Sequence, residues 1–106
     1  MSINNRFKQI IKSHRPVLVD FYAEWCQPCR QLEPVLKAVK NTFKESIRIL
    51  RVNVDHNQSI PSQFNVKNLP TLILFQSGSV KWVKEGMVET SELTHMISEY
   101  VEKTVQ

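Results

Sequence analysis

Val17-Leu18-Val19-Asp20-Phe21-Tyr22 is a nearly continuous apolar run of β-branched and aromatic residues with one acid inside it. A strand with one wet face would alternate, so an unbroken run predicts a strand buried on both faces. Leu69-Pro70-Thr71-Leu72-Ile73-Leu74-Phe75 reads the same way. Strands of this kind need cover above and below, which constrains the chain to a layered α/β arrangement.

Around these strands the pattern turns helical. Ile3, Phe7, Ile10 and Ile11 predict an amphipathic helix over 2–13, ended by Pro16. Leu32, Val35, Leu36, Val39 and Phe43 mark one face of a long helix over 27–43. The apolar period continues past Pro34, so a kink is expected there and not an end. Residues 47–54 predict a strand and residues near 59–64 a short helix. Gln76-Ser77-Gly78-Ser79 reads as a turn, with Gly78 suited to positive φ, and 80–84 alternates as its hairpin partner. Thr90 or Ser91 is expected to cap a last helix carrying Leu93, Met96, Ile97, Tyr100 and Val101. The order is αβαβαββα. Crossover helices imply parallel strand pairs and the hairpin adds antiparallel ones. The expectation is a small mixed central β-sheet flanked by helices on both faces.

With 106 residues, 42% hydrophobic and 23% charged, the chain is expected to form one soluble domain over 1–106. No apolar run reaches the roughly 20 residues of a membrane helix. Met1 to Arg6 contains no apolar core of a secretion signal. The net charge of +4 is uneven. Arg6, Lys8, Lys12 and Arg15 precede the first acid, whereas Glu85, Glu89, Glu92, Glu99 and Glu102 outweigh Lys84 and Lys103 near the end. No aromatic-rich basic stripe accompanies the basic end, so it reads as a solvated helix face and no nucleic-acid partner is expected.

Trp25-Cys26-Gln27-Pro28-Cys29-Arg30 lies where the first strand gives way to the long helix, and it holds both cysteines of the chain. A structural bridge across two intervening residues would restrain almost no chain. Structural zinc takes four ligands; a second cysteine pair is missing, and His14, His56 and His95 are scattered. No metal is expected, and each histidine reads as a surface residue. Reversible disulfide chemistry remains, carried by side chains with no bound cofactor. The thiolate is the attacking species. Cys26 stands just before the helix, where unpaired N–H groups and the dipole favour an anion. Pro28 fits the first helical turn at low cost. Cys26 is therefore the expected nucleophile, with a lowered pKa, and Cys29 the buried resolving thiol that displaces the product from a mixed disulfide.

Val19 to Cys29, Pro34, Asn53-Val54-Asp55, Leu69 to Phe75, and Gly78 with Gly86 together resemble the thioredoxin family over almost the whole chain. A C-x-x-C beside a βαβ pattern is that family's general mark. An upstream acid and a downstream Pro-Thr strand at this spacing make the match specific. The resemblance implies the thioredoxin fold and a protein-disulfide reductase. It implies that Asp20 is the buried acid beneath the disulfide, with a pKa raised by desolvation, taking the Cys29 proton through a water. Arg51 stands where the family usually has lysine, and as an always-charged group it would tune that acid. Pro70 matches the cis-proline, which would set the Leu69 backbone against the sulfurs to pair with an extended substrate segment. Trp25, Gln27, Pro28, Glu85 and Gly86 would border that substrate groove. The implied partners are disulfide-containing proteins and thioredoxin reductase, which would supply electrons from NADPH. A cytoplasmic monomer is implied.

Some positions depart from the family. Gln27 replaces a glycine between the cysteines and favours helix by roughly 0.5–1 kcal/mol. Asn68 replaces a glycine, Tyr22 replaces a tryptophan, and Glu85 stands where a small apolar residue is usual. Glu85 is expected to disfavour acidic partners. Pro28 is retained, which points to a reducing poise and away from an oxidant or isomerase. A specialised oxidoreductase with few partners and a non-catalytic binding subunit remain as alternatives.

Overall fold

The structure, a computed structural model, describes residues 3–101. Ser2 of the expected first helix, and Glu102 and Lys103 of the charge reading, lie outside the described residues. The elements are α1 (Ile3–Ile11), β1 (Val17–Tyr22), α2 (Gln27–Phe43), a 3-10 turn (Lys44–Ser46), β2 (Arg48–Asn53), α3 (Ser59–Gln63), β3 (Thr71–Gln76), β4 (Ser79–Glu85) and α4 (Thr90–Ser98). The expected order αβαβαββα is the observed one.

The strands form one sheet in the order β2-β1-β3-β4. β1 pairs parallel with β2 and antiparallel with β3, and β3 pairs antiparallel with β4. Side chains alternate between the faces of a strand, and here each face is covered. Val17, Val19 and Phe21 pack with Phe7 and Ile11 of α1 and Ile60 of α3. Leu18 packs on the other side with Leu32, Leu36 and Val39 of α2 and Leu93 and Ile97 of α4. Asp20, two residues on from Leu18, shares the α2/α4 face. This double burial is why β1 does not alternate in sequence. Each buried Val, Leu, Ile or Phe side chain contributes about 1.5–3 kcal/mol by leaving water.

The local chemistry explains where elements begin and end. α2 continues through Pro34 as one helix. Past the end of α2, Lys40 ties down the 3-10 turn, donating from Nζ to Lys44 O at 2.7 Å and Ile47 O at 2.8 Å. Lys40→Met should therefore lower stability by about 1 kcal/mol, read as a lower denaturant midpoint with an unchanged slope.

The expected strand over 69–75 starts later, at Thr71, because Pro70 has no N–H to give a ladder. The β3–β4 turn is the two-residue type in which both central residues have positive φ, Ser77 at 53° and Gly78 at 85°. Its N–H groups donate to Ser13 O and Ile11 O at 2.8 and 2.9 Å, tying the hairpin to the end of α1. The cap of α4 differs from expectation. Glu89 holds the extended N-cap conformation without a side-chain hydrogen bond, and helical backbone already begins at Thr90. Neither Thr90 nor Ser91 stands at the capping position.

Candidate active site

The chain leaves β1 at Tyr22, crosses Ala23 to Trp25, and enters α2 with Cys26 at the N-cap. The Cys29 N–H donates to Cys26 Sγ at 3.2 Å, so the sulfur does the work of a capping oxygen. Pro28 occupies the first turn, where its missing N–H costs nothing. Cys26 and Cys29 are joined as a disulfide, with Cα atoms 5.3 Å apart. Both are buried, and Tyr22, Val54 and Leu69 pack around them.

The cysteines open onto different spaces. Cys26 lines a groove of about 500 Å³ together with Trp25, Gln27, Pro28, Asn68 and Leu69. Cys29 lines a more polar cavity of about 230 Å³ with Tyr22, Glu24, Arg30, Glu33 and Arg51. Trp25 is 70% exposed on the rim of the groove, and its Nε1–H donates to Asp55 Oδ2 at 2.9 Å. Asp55 is itself set by its backbone N–H, which donates to Asn53 Oδ1 at 2.9 Å. Sequence reasoning gave Asp55 no role. The signal was the Asn53-Val54-Asp55 segment just past β2.

The Leu69–Pro70 peptide is cis, and Leu69 packs against the cysteines. The Gly86 N–H donates to Pro70 O at 2.8 Å. Gly86 takes φ +85°, a conformation that favours glycine. Glu85 is paired in register with Thr71, and its Oε1 accepts from Asn68 Nδ2 at 2.6 Å. Asn68 and Glu85, two of the departures from the family pattern, are thus hydrogen-bonded partners. Asn68 brings Glu85 to the edge of the groove, although Glu85 does not line it.

Asp20 is fully buried. Its Oδ2 accepts from Arg51 Nε at 3.1 Å, while Oδ1 is buried with no hydrogen-bond partner among the described residues. Burial pushes its carboxyl up from the usual range, and the charge and hydrogen bond of Arg51 act against that rise without cancelling it. The register of β1 with β2 sets Asp20 directly opposite Arg51. The Arg51 guanidinium lies 4.0 Å from the centre of the Tyr22 ring. Asp20 connects to the Cys29 cavity through Arg51, which lines that cavity. His14, His56 and His95 are exposed, and among the described residues no group of three or more Cys, His, Asp or Glu is arranged to hold a metal ion.

The family model for thioredoxin matches residues 1–99. The chain belongs to the thioredoxin family. A thioredoxin of Rickettsia bellii is 37% identical over 91 residues, which cover 86% of this chain and 87% of the relative. One from Pseudomonas aeruginosa is 38% identical, covering 81% of this chain and 80% of the other. Among solved structures, a mutant thioredoxin of Halobacterium salinarum NRC-1 superposes with a TM-score of 0.83 at 31% identity, covering 95% of this chain and 88% of that one. Oxidised mitochondrial thioredoxin 3 of Saccharomyces cerevisiae gives 0.81 at 26% identity, with 91% and 89% covered.

This family member is a thiol–disulfide oxidoreductase that reduces protein disulfides by dithiol–disulfide exchange at Cys26 and Cys29. Thioredoxins need no bound cofactor for this exchange, because the electrons travel as the thiol pair itself. Its partners are, in general terms, disulfide-bearing proteins and a reductase. No described helix is long and apolar enough to cross a membrane.

Proposed function

We propose that this protein is a general reductant of protein disulfides in the cytoplasm, acting as a one-domain monomer. Cys26 attacks the target disulfide and Cys29 resolves the mixed disulfide. Asp20 takes the Cys29 proton, and Arg51 tunes Asp20. Pro70 sets the Leu69 backbone to pair with an extended substrate strand, while Trp25, Gln27, Pro28 and Gly86 frame it. Thioredoxin reductase returns electrons from NADPH.

One observation carries this reading: Cys26 faces a groove open to a peptide, and Cys29 faces a separate polar cavity connected through Arg51 to a buried acid. An attacking sulfur needs access to the substrate, and a resolving sulfur needs a proton acceptor. The reduction potential of the Cys26–Cys29 pair, measured against a dithiothreitol or glutathione series, tests the reading. A value well below the cytosolic glutathione pool is expected. A value near that of the disulfide isomerases would replace the general reductant with an oxidant or a specialised enzyme.

The bond between Asn68 and Glu85 favours a narrower partner range as a second reading. A carboxylate beside the groove repels acids flanking a target disulfide. Glu85→Val should speed reduction of acid-flanked peptide disulfides several-fold relative to base-flanked ones. Equal rates for both peptide classes, before and after the substitution, would leave Glu85 without a part in selection.

A further inference from the structure

Glu33 is a charged residue of the Cys29 cavity that the sequence reading passed over. Its neighbour Arg51 has a planar fork of donors able to grip a carboxylate with two of them. It does not grip Asp20 in that way. Arg51 Nε donates to Asp20 Oδ2 at 3.1 Å, and Arg51 Nη2 instead lies 3.5 Å from Glu33 Oε2. The guanidinium also lies against the Tyr22 ring. Asp20 Oδ1 is left buried without a partner.

We propose that Glu33 is a positioning residue for the resolving step: by holding the Nη2 edge of Arg51, it keeps Asp20 Oδ1 free to accept the Cys29 proton. This rests on the reading that Asp20 is the base for Cys29. In that step the Cys29 S–H bond breaks and its proton passes to Asp20 Oδ1. The Cys29 thiolate forms an S–S bond to Cys26 as the Cys26–substrate S–S bond breaks. The substrate sulfur leaves as a thiolate and is protonated by solvent; the protein dithiol is oxidised and the substrate disulfide reduced. An Asp20 gripped through both oxygens would be held as the anion and would be a weaker acceptor.

Other charges frame this pair. Glu24 and Arg30 line the same cavity, and Lys37 and Lys40 flank Glu33 and Arg51 in the adjoining α2–β2 groove. Lys84 of β4 lies in register across β3 from Asp20 and is paired with Glu92 of α4 at 3.4 Å. Among the described residues, Glu33 is the acid paired with the Nη2 edge of Arg51, at 3.5 Å.

The test mixes the reduced full-length protein with the aromatic disulfide of thionitrobenzoate and follows release of the coloured thiol against pH. The first release reports attack by Cys26, and the second reports resolution by Cys29. Glu33→Ala should leave the first phase unchanged, move the inflection of the second to lower pH, and slow it several-fold above that inflection. In an Arg51→Leu background, Glu33→Ala should move the inflection much less, because only its direct charge on Asp20 then remains. Asp20→Asn should remove the inflection. If Asp20→Asn removes it but Glu33→Ala does not move it, or moves it equally without Arg51, the role of Glu33 is overturned and the base assignment stands. If the inflection survives Asp20→Asn, both are overturned.

Discussion

Cys26→Ser should reduce protein-disulfide turnover to background, whereas Cys29→Ser should keep the first half of the cycle and trap the partner. The asymmetry follows from geometry. Cys26 opens onto the groove and Cys29 onto the smaller, more polar cavity. Cys26 is also the N-cap of α2, receiving the Cys29 N–H, where positive partial charge favours its thiolate. A serine hydroxyl at 26 has too high a pKa to attack sulfur. A serine at 29 cannot displace the substrate, so the mixed disulfide accumulates. Insulin reduction followed by turbidity reads the loss of turnover in both variants. Mass spectrometry of the Cys29→Ser protein after incubation with a disulfide substrate should show one covalent adduct per chain. An adduct that forms with Cys26→Ser and not with Cys29→Ser would reverse the assignment.

Asp20→Asn should slow resolution by at least about 10²-fold, within the range of a lost general base, and at the same time make the protein more stable at neutral pH. Both effects have one cause. The folded carboxyl is raised above its unfolded value, chiefly by burial. A group of this kind favours the folded state fully at pH below its unfolded pKa. That contribution disappears as pH rises through the folded pKa, because the folded protein must then hold a buried anion. Asparagine cannot ionise, so the variant avoids the loss. Removing Asp20 does not strand Arg51, whose side chain is 38% exposed and still faces Glu33. Denaturation midpoints across pH should show Asp20→Asn more stable than the parent at neutral pH, with the gap closing toward acid. A gap independent of pH would mean that ionisation of Asp20 is not its origin.

Much of the scaffold was readable from residue order because burial leaves a local record. The uninterrupted apolar run of β1 requires two covering layers, and α1 with α3 and α2 with α4 supply them. The helical periods, the order of elements and the Cys-x-x-Cys at the start of α2 are likewise properties of neighbouring residues. Comparison with the family pattern also singled out Asp20, Arg51, Asn68 and Glu85.

Tertiary structure decided how those residues combine. Asp20 and Arg51 are 31 positions apart and meet because β1 and β2 pair in that register. Asn68 and Glu85 read as separate departures until the β3–β4 hairpin folded one against the other. Asp55 holds Trp25, and Glu33 shares Arg51 with Asp20, through contacts that leave no periodic trace in the chain. The positive φ of Ser77 and the start of α4 one residue past Glu89 are backbone features that residue type did not mark. Hydrophobic periodicity records which side of an element is dry. The direction of a polar side chain depends on the partner that strand register and helix packing bring to it, so the pairing of Asp20, Arg51 and Glu33 is visible only in the folded protein.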